Sequence, residues 1–142
     1  MASIDLASSD RYQRRRLSAG TTLCREGDFG DTMYLVTEGN LQISKRLIEG
    51  AEKVIASLGV GQYAGELSLL TGAQRSATMR ATVDTEVIEI DQEAFMQILQ
   101  EQPQTGLELM QQMARRIHDT TEALILTQLA TALAQRGPHR LP

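Results

Sequence analysis

Ten of the chain's 11 glycines fall at or before Gly106, and that partition divides the 142 residues into two regimes. Through about residue 90, short apolar runs alternate with turn chemistry: Glu26-Gly27-Asp28, Glu38-Gly39-Asn40, Glu49-Gly50 and Gly59-Val60-Gly61. Glycine and asparagine reach positive φ at little steric cost, so each cluster can reverse the chain. The runs between them are strand candidates: 11–17, 22–25, 32–37, 41–47, 53–58, 77–82 and 86–90. Leu41-Gln42-Ile43-Ser44 alternates with period two, as a half-buried strand does. Short strands punctuated this often predict an antiparallel β-roll or jelly roll (a double-stranded β-helix) over 11–90, in a mainly β, α+β chain with C-terminal helices.

Beyond residue 90 the pattern turns helical. Asp91 is an N-cap candidate, and Ala94, Phe95, Ile98 and Leu99 keep helical spacing through 91–102 until Pro103 ends the run. The stretch 105–136 holds no proline and one early glycine, which allows a helix approaching ~48 Å at 1.5 Å per residue. Gly137-Pro138 is a natural stop for it. Met110, Ile117, Leu124 and Thr131 recur every seven residues, with Ala114, Thr121 and Gln128 interleaved, a heptad seam whose second column is partly polar. A helix this long on a small barrel exposes apolar faces. A two-fold partner helix, hence a homodimer, is the economical way to bury them, and a fold back onto the chain's own barrel is the alternative. Residues 1–10 read as a flexible lead-in and 137–142 as a frayed tail.

Composition narrows the function classes. An apolar fraction of 42% can fill a core, which excludes wholesale disorder. No window reaches the ~18–20 apolar residues of a membrane span, and the N-terminus lacks a basic-then-apolar leader. A single cysteine, Cys24, excludes an internal disulfide framework and fits a cytoplasmic setting; it reads as a packed strand residue. His118 and His139 both lie late in the chain, too few and too far from the strands for a metal site or a metal-dependent enzyme of the cupin type. The expectation is no metal, no cofactor and no enzyme activity. With 4% aromatics, no tryptophan and a net charge of −4, a nucleic-acid surface is disfavoured. Arg14-Arg15-Arg16 makes no single basic patch, because on a strand Arg14 and Arg16 face one way and Arg15 the other. Charge there suits a solvated edge strand.

The chemistry concentrates in 61–78, Gly61-Gln62-Tyr63-Ala64-Gly65-Glu66-Leu67-Ser68-Leu69-Leu70-Thr71-Gly72-Ala73-Gln74-Arg75-Ser76-Ala77-Thr78. Leu67 to Leu70 can form about one helical turn, whose free N–H groups attract an anion. Arg75 offers forked donors that match a phosphate, and Ser76 adds a hydroxyl. Glu66 at the same mouth would repel a bare phosphate but could accept from a sugar hydroxyl, which together suggests a nucleotide. The competing possibility is that Glu66 and Arg75 pair across the loop and nothing binds.

Gly65-Glu66-Leu67-Ser68-Leu69-Leu70 followed by Arg75-Ser76-Ala77-Thr78 resembles the phosphate-binding cassette of the cyclic nucleotide-binding domain family. Ala19-Gly20-Thr21, Arg25-Glu26-Gly27-Asp28, Gly30 through Val36 and Glu38-Gly39 are similar to that family's opening strands. Gln112-Met113-Ala114-Arg115-Arg116-Ile117 with Thr120-Thr121-Glu122 resembles the long dimer helix of the bacterial cAMP receptor protein (catabolite activator protein) family. The resemblance runs from about residue 11 to about 135 and implies a cyclic nucleotide sensor, cAMP first, with cGMP or a cyclic dinucleotide as alternatives. A dimerisation module with an empty pocket is the rival from another class.

Position by position, the resemblance implies that Arg75 and Ser76 hold the cyclic phosphate, with backbone groups around Leu67, Ser68 and Ala77. Glu66 and the Gly65 backbone take the ribose 2′-hydroxyl, and Thr120 and Thr121 reach the purine, one from each subunit. Arg116 pairs with Glu66, and Ile43 and Leu58 form the apolar wall behind the base. Two departures stand out. Gln74 occupies a position where many members have proline, and six residues after Arg136 leave no room for a helix-turn-helix domain, so DNA binding is not expected of this chain. The effector that such a sensor would act on is not specified.

Overall fold

The computed structural model describes residues 12–136, with 120–124 and 136 described by their backbone alone. The expectations for 1–10 and 137–142 therefore lie outside the described residues. The strands are β1 (Tyr12–Leu17), β2 (Thr22–Cys24), β3 (Met33–Glu38), β4 (Leu41–Arg46), β5 (Glu52–Leu58), β6 (Tyr63–Ala64), β7 (Thr78–Ala81) and β8 (Thr85–Ile90). The helices are α1 (Glu66–Thr71), α2 (Gln92–Glu101) and α3 (Pro103–Arg136). The chain forms two compact units, one up to Thr105 and one from Gly106 onward.

All pairings are antiparallel, in two four-stranded sheets ordered β1-β8-β3-β6 and β2-β7-β4-β5. This is the jelly roll that the turn spacing predicts. Period two explains how it closes. Leu17, Tyr34, Val36 and Val87 from the first sheet and Leu23, Leu41, Ile43, Leu58, Met79 and Ala81 from the second make one buried cluster. Burying a side chain of that size is worth roughly 1.5–3 kcal/mol, so this shared core holds the two sheets together. On β3 and β8 the alternate residues Met33, Leu35, Ile88 and Ile90 are buried too, and Met33 to Val36 accordingly reads as a continuous apolar run rather than as alternation. β6 escapes a pattern search because two residues carry no period; it is found only through its pairing with Tyr34 and Leu35.

The arginines of β1 divide as the strand period requires. Arg14 and Arg16 both reach Glu86, at 2.9 and 3.2 Å, while Arg15 reaches Glu89 on the other face at 3.4 Å. β1 is a solvated edge strand, as expected: Arg14 and Arg16 stay exposed while they pair with Glu86 on β8.

Asp91 caps α2 by accepting the Ala94 N–H at 2.8 Å. The helix ends at Gln102, whose φ of −135° and ψ of 70° leave the helical region. The long helix then starts at Pro103, two residues earlier than the expected Thr105. Proline at a first helical position loses nothing, because the N–H it lacks would have no intrahelical acceptor. On α3, Met110, Ile117, Ile125, Leu126, Leu129 and Leu133 are exposed. Ile125, Leu126, Leu129 and Leu133 thus lie off both expected heptad columns, one ending at Thr131 and the other at Gln128. No helix among the described residues is long and apolar enough to cross a membrane.

Candidate functional site

Between β6 and β7 the chain makes a glycine turn, a short helix and a loop. Gly65 turns the chain at φ 85° and α1 follows over Glu66–Thr71, with no side chain capping its first N–H groups. A second left-handed glycine, Gly72, ends the helix and accounts for its shortness. Ser68 and Leu69 are buried, Leu67 and Leu70 exposed, and Glu66 is half-buried in the first turn.

Arg75 then enters a seat made by another loop. Its N–H donates to the Asp28 carbonyl at 2.8 Å, and its own carbonyl accepts the Gly27 N–H at 2.8 Å. Arg25 to Asp28 is a closed turn, with the Asp28 N–H donating to the Arg25 carbonyl at 3.0 Å and the Asp28 carboxylate accepting the Arg25 N–H at 3.0 Å. The backbone at residue 75 is therefore pinned on both sides before its side chain makes any contact.

That side chain is 4% exposed. Nη1 donates to the Thr32 carbonyl at 2.6 Å and to the Gly65 carbonyl at 3.5 Å; Nη2 donates to the Thr32 hydroxyl at 3.0 Å and to the Tyr34 hydroxyl at 3.3 Å. The guanidinium carbon lies 5.1 Å from the Tyr34 ring centre, a cation–π contact. Burial, ahead of other influences, holds the Tyr34 phenol above its ordinary range, so it stays neutral. Two glycines make room: a Cβ at Gly30 would stand 2.5 Å from Arg75 Nε, and one at Gly65 2.7 Å from Nη1. Every acceptor of Arg75 is neutral, and among the described residues it forms no ion pair with a carboxylate. The alternative in which Glu66 and Arg75 neutralise each other is not what the loop adopts. A buried cation without a counter-charge is costly unless something anionic completes it.

The other candidates fall as follows. Ser76 is exposed beside Arg75, and Ala77 is buried. Ile43 and Leu58 are buried in the shared core. Arg116 is half-buried on α3, and the side chains of Thr120 and Thr121 lie outside the described residues. Thr32, Tyr34, Gly30 and Glu89 were missed as site residues. The run Gly30-Asp31-Thr32-Met33-Tyr34 reads only as the approach to a strand, and no sequence signal marks Glu89. Cys24 is packed, its thiol 3.9 Å from the Ala77 carbonyl and pushed up chiefly by burial, as a structural cysteine would be. Among the described residues, no group of His, Cys, Asp and Glu is placed to hold a metal ion.

A short helix with uncapped N–H groups and a buried arginine thus meet at the Gly65 turn of a two-sheet roll, an arrangement suited to an anion. The family model described as the cyclic nucleotide-binding domain matches residues 14–102. The cyclic AMP receptor protein of Thermus thermophilus is 34% identical over 116 residues, covering 82% of this chain and 53% of that protein. The crystal structure of Thermus thermophilus catabolite activator protein superposes with a TM-score of 0.76 at 31% identity, covering 83% of this chain and 55% of the other. A structure of the c-di-GMP responsive global regulator of Xanthomonas campestris gives 0.70 at 28% identity, covering 79% and 57%. The chain belongs to the cyclic nucleotide-binding domain family. It spans about half the length of the curated relatives it matches.

Proposed function

We propose that this domain is a non-catalytic sensor that binds cAMP and passes its occupancy to the long helix. The observation that carries the reading is Arg75, buried to 4% exposure with neutral acceptors only. A cyclic phosphodiester carries one negative charge, which a single guanidinium matches. In this reading Arg75 and Ser76 hold the phosphate, joined by backbone N–H groups at Leu67, Ser68 and Ala77. Glu66 and the Gly65 backbone take the ribose 2′-hydroxyl, and Ile43 and Leu58 back the base. Thr120 and Thr121 close on the purine from paired α3 helices of a homodimer, and Arg116 ties Glu66 to the helix. The exposed apolar residues of α3 support the pairing. Ligand shifts the helix only by as much as it prefers one arrangement over the other. The setting is cytoplasmic, and the effector is a domain or protein outside these residues.

A calorimetric titration of cAMP and cGMP, with Arg75→Ala alongside, tests this. A charged hydrogen bond is worth ~1.5–3 kcal/mol, so the variant should bind about ten- to a hundredfold more weakly. A loss under about threefold would remove Arg75 from the site. The second reading, a cyclic dinucleotide, is favoured by the likeness to the c-di-GMP responsive regulator, and a parallel titration with c-di-GMP ranks it.

A further inference from the structure

Arg75 has no carboxylate partner among the described residues, yet a carboxylate stands one hydroxyl away. Thr32 Oγ1 accepts from Arg75 Nη2 at 3.0 Å and donates its own proton to Glu89 Oε2 at 2.7 Å. The other Glu89 oxygen accepts from Arg15 at 3.4 Å. A hydroxyl has one proton to give. With that proton committed to Glu89, the Thr32 oxygen can only turn lone pairs toward Arg75.

Thr32 also offers its backbone carbonyl, 2.6 Å from Nη1, so a single residue receives both arms of the guanidinium fork and fixes its plane. The remaining contacts of those arms are longer, 3.5 Å to the Gly65 carbonyl and 3.3 Å to the Tyr34 hydroxyl. An arriving anion can take over the long pair while the short pair keeps the seat. A carboxylate placed directly on the guanidinium would orient it equally well but would neutralise it and compete with that anion.

We propose that Glu89, acting through the Thr32 hydroxyl, is a positioning residue for Arg75: it sets the guanidinium beneath Gly65 while leaving its charge for the ligand's phosphate. The proposal rests on the cyclic nucleotide reading above. Thr32 and Glu89 lie 57 positions apart and meet because β8 pairs with β3, where Tyr34 stands opposite Glu89.

The test has two readouts. In the ligand-free protein, nitrogen-15 NMR of the Arg75 side chain reports how freely the guanidinium turns. Distinct, slowly exchanging Nη signals are expected in wild type and Thr32→Ser, and averaged signals in Thr32→Val and Glu89→Ala. Glu89→Leu, which fills the space without an acceptor, replaces Glu89→Ala if the latter unfolds. In cAMP titrations, Glu89→Ala and Thr32→Val should each weaken binding about three- to tenfold, and the double variant should be no weaker than Thr32→Val alone. Wild-type-like signals and affinity in both Glu89 variants would overturn the proposal. So would losses that multiply in the double variant, since Glu89 would then act by another route. If wild type binds no cyclic nucleotide, the ligand reading fails, and the NMR signals still decide whether Glu89 positions Arg75.

Discussion

The Cα of Gly65 faces the guanidinium of Arg75 so closely that a Cβ there would stand 2.7 Å from Nη1 and 3.0 Å from the Thr32 carbonyl. The turn at Gly65 also needs φ 85°. Left-handed backbone costs an ordinary residue about 1–2 kcal/mol, so Gly65→Ala should lose about that much stability in urea unfolding. The added methyl must also push Arg75 off its seat. Calorimetry should show cAMP affinity falling more than about tenfold, a larger effect than the stability change alone would produce.

Ligand should stabilise the fold in proportion to its occupancy. At about a hundred times Kd, a ligand that binds only the native state adds about 2.7 kcal/mol, which is roughly 5–10 °C in Tm for a chain of this size. Thermal unfolding with and without cAMP should show that shift in wild type and not in Arg75→Ala at the same concentration.

Glu86 is a buried carboxylate that accepts from the Thr37 hydroxyl at 2.9 Å and pairs with Arg14 and Arg16. The Thr37 hydrogen bond first, and the two arginines after it, hold it below its ordinary value of 4.5. The unfolded chain protonates Glu86 near that value, whereas the native state resists. The stabilisation is therefore complete above pH 4.5 and is lost as pH falls through the depressed native value. Glu86→Gln should flatten the loss of stability as pH falls below 4.5. An acid limb equally steep in both proteins would contradict this.

The cap of α2 is a separable device. Asp91→Ala removes the acceptor of the Ala94 N–H and should cost about 0.5–2 kcal/mol in denaturant unfolding, with cAMP affinity unchanged. A matching loss of affinity would mean that the start of α2 reaches the pocket.

Local chemistry made much of this fold legible. Turn glycines and period-two runs locate seven strands to within a residue or two, because each strand carries its own pattern. The two-residue β6 does not, and it exists only by pairing with β3. α3 starts at Pro103, ahead of the expected Thr105, because a proline that ends one helix is equally suited to open the next. Arg75 stands out in the sequence as a candidate because its chemistry and its neighbours Ser76 and Ala77 are contiguous. Its seat was not. Thr32 lies 43 positions upstream, and Glu89 touches Thr32 across 57. Such contacts leave no trace in spacing, since the sheet pairing that creates them is a property of the whole roll. Nor did sequence reveal that Arg75 would bond neutral groups in preference to the nearby Glu66.

The joint between α2 and α3 has a mechanical consequence. Only Gln102 separates a helix that ends at Glu101 from one that begins at Pro103. Pro103 has no N–H, so the two torsions of Gln102 can change with no intrahelical bond of Pro103 to sacrifice. From that pivot α3 extends 34 residues, a lever arm of about 50 Å at 1.5 Å per residue. A turn of about 10° at Gln102 would sweep the far end through about 9 Å if the helix stays straight.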